Sequence, residues 1–220
     1  MTTTLIQTDY EAARHAMVAS QLRTTNVSDQ RVVMAMATIP RERFVPAAVR
    51  DLAYLDRAIP LGHGRYANLP MATGRLLTEA DLEPTDRVLL IGAAGGYTAA
   101  VLATIVSHVV AVESAPELLA IAREAVGNAN VRLVEAPLPQ GCPDEAPYDV
   151  LVVDGAVEHL PDGLVSQVRN GGRVVTGLID SGGVARLASG RRTAGFALQP
   201  FADSECPRLP GFAVPTGFKF

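Results

Sequence analysis

Tryptophan is absent from the 220 residues, and aromatic residues of all kinds make up only 5%. So thin a supply argues against a surface that stacks successive bases or sugar rings. Lysine occurs once, as Lys219; the other eighteen of the nineteen cations are arginines, scattered along the chain rather than gathered in a patch. With 23 acidic residues against them the net charge is −4, so nothing tracks a phosphate backbone and nucleic acid is not an expected partner. There are two cysteines, Cys142 and Cys206, too far apart for a CxxC site and too few for a disulfide framework. They read as reduced thiols of a cytoplasmic protein. The opening MTTTLIQTDYEAARHAM has no basic segment followed by an apolar one, so it does not read as a secretory leader.

Charge is also missing from Val88 to Val112, which holds no Asp, Glu, Lys or Arg. The length would span a bilayer, but the grammar is wrong for one helix. VLLIG is a short strand-like run, AAGGY a glycine break, TAAVLATIV a helix and HVVAVE another strand. Uninterrupted apolar strands are what a parallel sheet covered on both faces requires. Hydrophobic residues at 48% and charged residues at 19% then support one folded domain.

The first 85 residues read as helical and then irregular. Ala13, Met17, Val18 and Leu22 put a helical apolar stripe on Tyr10 to Thr25. Asp29 to Thr38 reads as a second helix with Ser28 as its N-cap. Ile39 to Pro70, with four prolines and two glycines, reads mostly as loop, and Met71 to Ala80 as helix. From Arg87 the rhythm becomes strand, helix, strand. RVLLI, HVVAVE, VRLVE and YDVLVVD are strands. Helices run from Tyr97 to Val106, Pro116 to Val126 and Pro161 to Val168. GRVVTGL is a strand after a turn at Asn170-Gly171-Gly172. This alternation predicts an α/β fold: a three-layer, doubly wound, mostly parallel sheet. Residues 1–80 form a helical cap with a substrate-side loop. Residues 81–220 form the cofactor-binding α/β unit, finished by antiparallel strands after Val184.

The first crossover carries the chemistry. Gly92-Ala93-Ala94-Gly95-Gly96-Tyr97 joins the RVLLI strand to a helix, and such a turn lets backbone approach a ligand closely. Glu113, with Ser114 beside it, closes the next strand, where a carboxylate can accept both hydroxyls of a ribose. Asp154 ends the YDVLVVD strand. All three therefore fall at carboxyl ends of neighbouring strands, where such sheets bind nucleotides. The spacing of Gly92, Ala94 and Gly96 is G-x-A-x-G rather than GxGxxG. That disfavours NAD and suits S-adenosyl-L-methionine (SAM), which has no pyrophosphate to cradle. No HExxH, nucleophile elbow or Walker lysine is present. Glu158-His159 near Asp154 reads as a polar cluster at a helix start rather than a metal site, and no metal is expected.

From about Met17 to Gly172 the chain resembles the protein-L-isoaspartate O-methyltransferases. The resemblance rests on MVASQL, VVMAMATIP, PRERFVP, LAYLDRAIPLGHG, VLLIGAAGGYTAAVLA, APYDVLVVDGA and NGGRVV; the tail PRLPGFAVPTGFKF resembles a divergent bacterial branch. It implies methyl transfer from SAM to the side-chain carboxylate of isoaspartyl residues in damaged proteins, by a monomer. A carboxylate with an unperturbed pKa of about 4 is already a nucleophile at pH 7, so such a site needs no general base. It must align the groups and exclude water.

The departures from the family pattern are specific. After GHG the family reads Gln-Thr-Ile-Ser-Gln-Pro, and here stands Arg65-Tyr66-Ala67-Asn68-Leu69-Pro70. Asn68 thus takes the catalytic position, with Tyr66, Leu69 and Pro70 lining a reshaped acceptor side. The middle glycine of the SAM loop is Ala94, at a cost of about 1–2 kcal/mol if that backbone is left-handed. Leu90 replaces the acid before Ile-Gly, and Ala136-Pro137-Leu138 replaces Gly-Asp-Gly at the adenine amine. Losing both of those hydrogen bonds, at roughly 1.5–3 kcal/mol each, would weaken SAM binding by about one to three orders of magnitude. Three readings follow: an isoaspartyl-repair methyltransferase, a methyltransferase of the same fold for another acceptor, and a catalytically degenerate member serving as a SAM-binding or interaction module.

Overall fold

The structure, a computed structural model, describes residues 9–214. The start of the stretch read for a leader, residues 1–8, and the segment 215–220 with Lys219 lie outside the described residues.

Two helices open the chain. In α1 (Tyr10–Met17), Asp9 accepts from the Ala12 amide at 3.0 Å as N-cap, and a wide helical turn over Val18–Leu22 extends the same rod. The cap of α2 (Gln30–Thr38) is Asp29 rather than Ser28: its carboxylate accepts from the Arg31 amide at 2.8 Å and also pairs with the Arg31 side chain. An aspartate can do both, and a serine one residue earlier cannot reach. Two short 3-10 turns follow, Arg41–Phe44 and Ala47–Leu52. The stretch expected to be mostly loop also holds a hairpin, β1 (Ile59–Gly62) and β2 (Arg65–Ala67), before α3 (Pro70–Glu79).

The main sheet is built from β3 (Arg87–Ile91), β4 (His108–Glu113), β5 (Val131–Glu135), β6 (Tyr148–Val157), β7 (Val168–Ile179), β8 (Ala185–Arg191) and β9 (Gln199–Asp203). Their order is β5-β4-β3-β6-β7-β8-β9, parallel from β5 to β7 and antiparallel for the last two. The chain winds outward from β3 in one direction and then returns to place β6 on its other side. The crevice between β3 and β6 is thus a topological switch point, where open α/β sheets bind ligands. The charge-free run dissolves into β3, α4 (Tyr97–Ala103) and β4, and among the described residues no helix is long and apolar enough to cross a membrane.

Period-two alternation divides the strand residues between two cores. Val88, Leu90, Val109, Ala111, Val150 and Val152 face α1 to α4 and part of α5 (Pro116–Ala125). Leu89, Ile91, Val110, Val112, Leu151 and Val153 face the opposite side. The cover on that second side is thin. The helix expected from Pro161 to Val168 shrinks to α6 (Asp162–Val165), and the chain enters β7 at Val168. Asn170-Gly171-Gly172 is no turn ahead of a strand but a bulge within β7. The pairing jumps there from Tyr148–Val168 to Val150–Arg173, and Gly171 takes φ +76°. What completes this layer is the chain's own tail, with Leu209 and Phe212 buried among Leu138, Leu164 and the strand residues.

Candidate active site

Strand order brings the carboxyl ends of β4, β3 and β6 side by side, and with them Glu113, Gly92 and Asp154. Gly92 and Gly96 have φ of +82° and +95°, and Ala94 between them has φ +50°. A left-handed alanine is strained. We expect Ala94→Gly to stabilise the chain by about 1 kcal/mol, seen as a melting temperature raised by roughly 2–4 °C in a calorimetric scan.

Glu113 is fully buried, and its carboxylate is saturated from within the protein. Oε1 accepts from the Ser114 and Ala115 amides at 2.8 and 3.2 Å, and Oε2 from the Ala94 amide at 2.7 Å. The remaining capacity goes to Arg65 in a two-pronged ion pair, Nε to Oε1 at 3.0 Å and Nη2 to Oε2 at 2.8 Å. Arg65 is itself only 2% exposed. Burial alone would raise the Glu113 pKa. The Arg65 guanidinium and the backbone amides outweigh it and hold the carboxyl below its usual range.

Asp154 is the hub of a second cluster. It accepts from Asn68 Nδ2 at 2.8 Å, Thr73 Oγ1 at 3.0 Å and Thr98 Oγ1 at 2.5 Å. Asn68 is buried. Its side-chain oxygen accepts from the Leu69 amide at 2.9 Å, and its backbone carbonyl accepts from Arg41 Nη2 at 2.5 Å. Arg41 also donates to the Ala53 carbonyl at 2.8 Å and lies 4.6 Å from the centre of the Tyr97 ring. Tyr97 meets Phe44 edge to face at 5.7 Å, and burial pushes its hydroxyl up to about 12. Leu69 and Pro70 are buried at the start of α3, whereas Tyr66 is 43% exposed. Ser114 and Pro137 stand at the surface. Removing the hub with Asp154→Ala leaves the Asn68 amide without its acceptor. The expected loss is about 2 kcal/mol, read as a melting point lowered by roughly 4–8 °C in circular dichroism.

The space between these groups is small. The cavity bounded by Arg41, Tyr66, Asn68, the Gly92–Gly95 loop, Thr98 and Asp154 measures about 20 Å³, room for a single water. The open faces of two strand-tip glycines are filled by the tail. A Cβ on Gly92 would lie 3.1 Å from Leu209 and 3.3 Å from Arg65 Nη2, and one on Gly155 would lie 2.7 Å from Leu209. Glu158 and His159 serve this tail. Glu158 accepts from Arg208 at 2.5 Å and from the Val214 amide at 2.8 Å, and His159 Nδ1 lies 3.1 Å from the Phe212 carbonyl. Among the described residues no cluster of three or more His, Cys, Asp or Glu could hold a metal ion.

Arg65, Arg41 and Leu209 are site residues that sequence reasoning did not single out. Arg65 had a signal: a new cation in a changed segment, and a strand-end glutamate that must find a partner once buried. Arg41 lies within PRERFVP, a segment that carries the family resemblance without showing what its cations do. Leu209 had no signal beyond an apolar residue between two prolines.

The profile of the family "Protein-L-isoaspartate(D-aspartate) O-methyltransferase (PCMT)" matches residues 12–192. A protein-L-isoaspartate O-methyltransferase of Koribacter versatilis is 38% identical over 171 residues, covering 76% of this chain and 77% of the relative. Protein-L-isoaspartate O-methyltransferase 1 of Rhodopseudomonas palustris is 40% identical over 171 residues, covering 76% and 70%. In fold, the chain superimposes with a TM-score of 0.75 on a Plasmodium falciparum protein described as a putative protein-L-isoaspartate O-methyltransferase and solved with S-adenosyl-L-homocysteine. The sequence identity there is 15%, and the match covers 92% of this chain and 99% of that one. On the fold, the strand-tip constellation and these matches, the chain belongs to the protein-L-isoaspartate O-methyltransferase family.

Proposed function

We propose that this chain is a SAM-dependent carboxyl O-methyltransferase acting on L-isoaspartyl residues of damaged proteins, and that the described arrangement is its closed form. Methyl transfer from SAM is the reaction of its family. The observation that carries the reading is the meeting of Gly92, Glu113 and Asp154 at the carboxyl ends of β3, β4 and β6, across the switch point of the sheet.

In the closed form SAM does not fit. Ligand clefts of this class measure roughly 300 Å³ or more, against about 20 Å³ here. The carboxylate that would take the ribose holds Arg65, and Leu209 stands over Gly92. Gly92, Ala94, Gly96, Tyr97, Glu113, Ser114, Pro137 and Asp154 remain the proposed cofactor side. Asn68 remains the proposed catalytic residue, with Tyr66, Leu69 and Pro70 around the acceptor. Asn68 is supported by its fixed position, with one end on Asp154 and the other on Arg41. A carboxylate acceptor at neutral pH needs no base, only a donor that orients it, and the Asn68 amide is such a donor. Residues 1–80 as a cap on the substrate side, a monomeric state and a cytoplasmic location complete the proposal.

A second reading, a degenerate member acting as an interaction module, is favoured by one observation: Arg65, in place of the family's glutamine, is buried on the sugar carboxylate. Methyl-labelled SAM and an isoaspartyl peptide separate the readings. Base-labile label in that peptide, and not in its aspartyl twin, supports repair methylation. Binding of S-adenosylhomocysteine without label points to another acceptor. Absence of both points to the module.

A further inference from the structure

The tail has the contacts of a built-in ligand. Its backbone adds to the end of β6: the Ala156 amide donates to the Pro207 carbonyl at 2.8 Å, and the Leu209 amide to the Ala156 carbonyl at 2.9 Å. Pro207 and Pro210 stiffen it, and the contacts of Arg208, Phe212 and Val214 with Glu158 and His159 hold its course. Leu209 is 5% exposed and Phe212 1%, in one apolar cluster with Ile91, Val112 and Leu138. The match to the family profile ends at residue 192, ahead of this segment.

Arg65 approaches from the other side, at the base of a hairpin whose tip is Gly62, His63 and Gly64, all at positive φ. Its fork meets Glu113 as a pair of vicinal hydroxyls would, two parallel N–H donors on two carboxylate oxygens. We propose that Arg65 and the Pro207–Phe212 segment are an intramolecular occupant of the cofactor crevice. The guanidinium stands in for the ribose hydroxyls on Glu113 and the Leu209 side chain fills the space over Gly92, so that cofactor enters only after both have moved.

The inference rests on the crevice being the cofactor site, and it makes cofactor affinity depend on the fraction of open molecules. A cofactor that binds one molecule in a hundred binds about a hundredfold more weakly than its intrinsic affinity. Cys206, just ahead of the segment, reports on its release. Its thiol is pushed up to about 12 by burial and by the Asp154 carboxylate, and it lies against Asn68. In the closed form it therefore alkylates slowly.

The test titrates S-adenosylhomocysteine by calorimetry into the full chain and into Arg65→Gln, Leu209→Ala and the double variant. Iodoacetamide labelling of Cys206 at pH 8 is followed in parallel by peptide mapping, which separates it from the buried Cys142. The expected result is about tenfold or more tighter binding in each single variant, a larger gain in the double, and faster Cys206 labelling in Leu209→Ala. Wild-type affinity within about threefold of the variants overturns the occupant and leaves the proposed function standing. No binding by any folded variant at millimolar ligand overturns the cofactor reading of the crevice, and the inference with it. Should Arg65→Gln fail to fold, Leu209→Ala alone separates the same outcomes.

Discussion

Arg65→Met melts roughly 6–20 °C below the wild-type chain at pH 7. Methionine keeps the volume and the apolar stem but removes the only side-chain cation on Glu113 among the described residues, and that carboxylate is fully buried. Leaving a buried charge without its partner costs about 3–5 kcal/mol, and a chain of this size loses roughly 2–4 °C per kcal/mol. The pH profile identifies the cause. In the wild type the Glu113 pKa is depressed. The pair's contribution is therefore complete above the unfolded carboxylate value of about 4.3, and is lost as pH falls through the folded one. In Arg65→Met burial acts unopposed by the guanidinium and raises the folded pKa relative to wild type, so protonation relieves the variant as pH falls. The gap between the two proteins should be widest near neutrality and should narrow toward pH 4. Adding Glu113→Gln removes the stranded charge and should recover most of the loss. A gap unchanged with pH would mean that Arg65 contributes packing rather than charge.

Gly95→Ala is the second large effect. The amino acid before Gly96 has no unusual φ, so conformational freedom does not explain a glycine there. Space does. A Cβ at position 95 would stand 1.9 Å from the Phe44 carbonyl oxygen and 2.8 Å from its carbon, both backbone atoms. The 3-10 turn of PRERF and the glycine loop must separate by more than an ångström to admit one methyl group. That displacement carries Arg41, which holds the Asn68 carbonyl and lies against Tyr97. We expect a loss of about 3 kcal/mol, the upper part of the range for overpacking, and a melting temperature lower by roughly 6–12 °C. A loss below about 1 kcal/mol would show that the turn and the loop yield independently.

That glycine shows where sequence reading stops. AAGGY between a strand and a helix is legible as a tight approach of backbone to something, and the natural inference is a ligand. In this chain Gly95 admits the Phe44 carbonyl. Gly96 takes a left-handed conformation and leaves space that a methyl would contest with Val126 and Ala122. Gly92 takes Leu209 and Arg65. The pattern reports the need for space and is silent on what fills it. The central parallel strands β3, β4 and β6 were legible because both faces of each are apolar, and β4 and β5 run over the HVVAVE and VRLVE segments read as strands. The short α6, the bulge at Gly171 and the return of the tail were not legible. Each depends on contacts between distant segments: β6 against β7, and Pro207–Leu209 against Ala156. Glu113 was legible as a carboxylate at a strand end. Its partner lies 48 residues away and shows no local periodicity.

A crystal structure of the wild-type chain, solved as grown and again after soaking in millimolar S-adenosylhomocysteine, tests the account most directly. As grown, the Arg65 guanidinium should lie on the Glu113 carboxylate and Leu209 against Gly92; after soaking, any adenosine in the crevice should be accompanied by displacement of both. An as-grown Glu113 open to solvent, or an adenosine seated beside an unmoved Arg65 and Leu209, would contradict it.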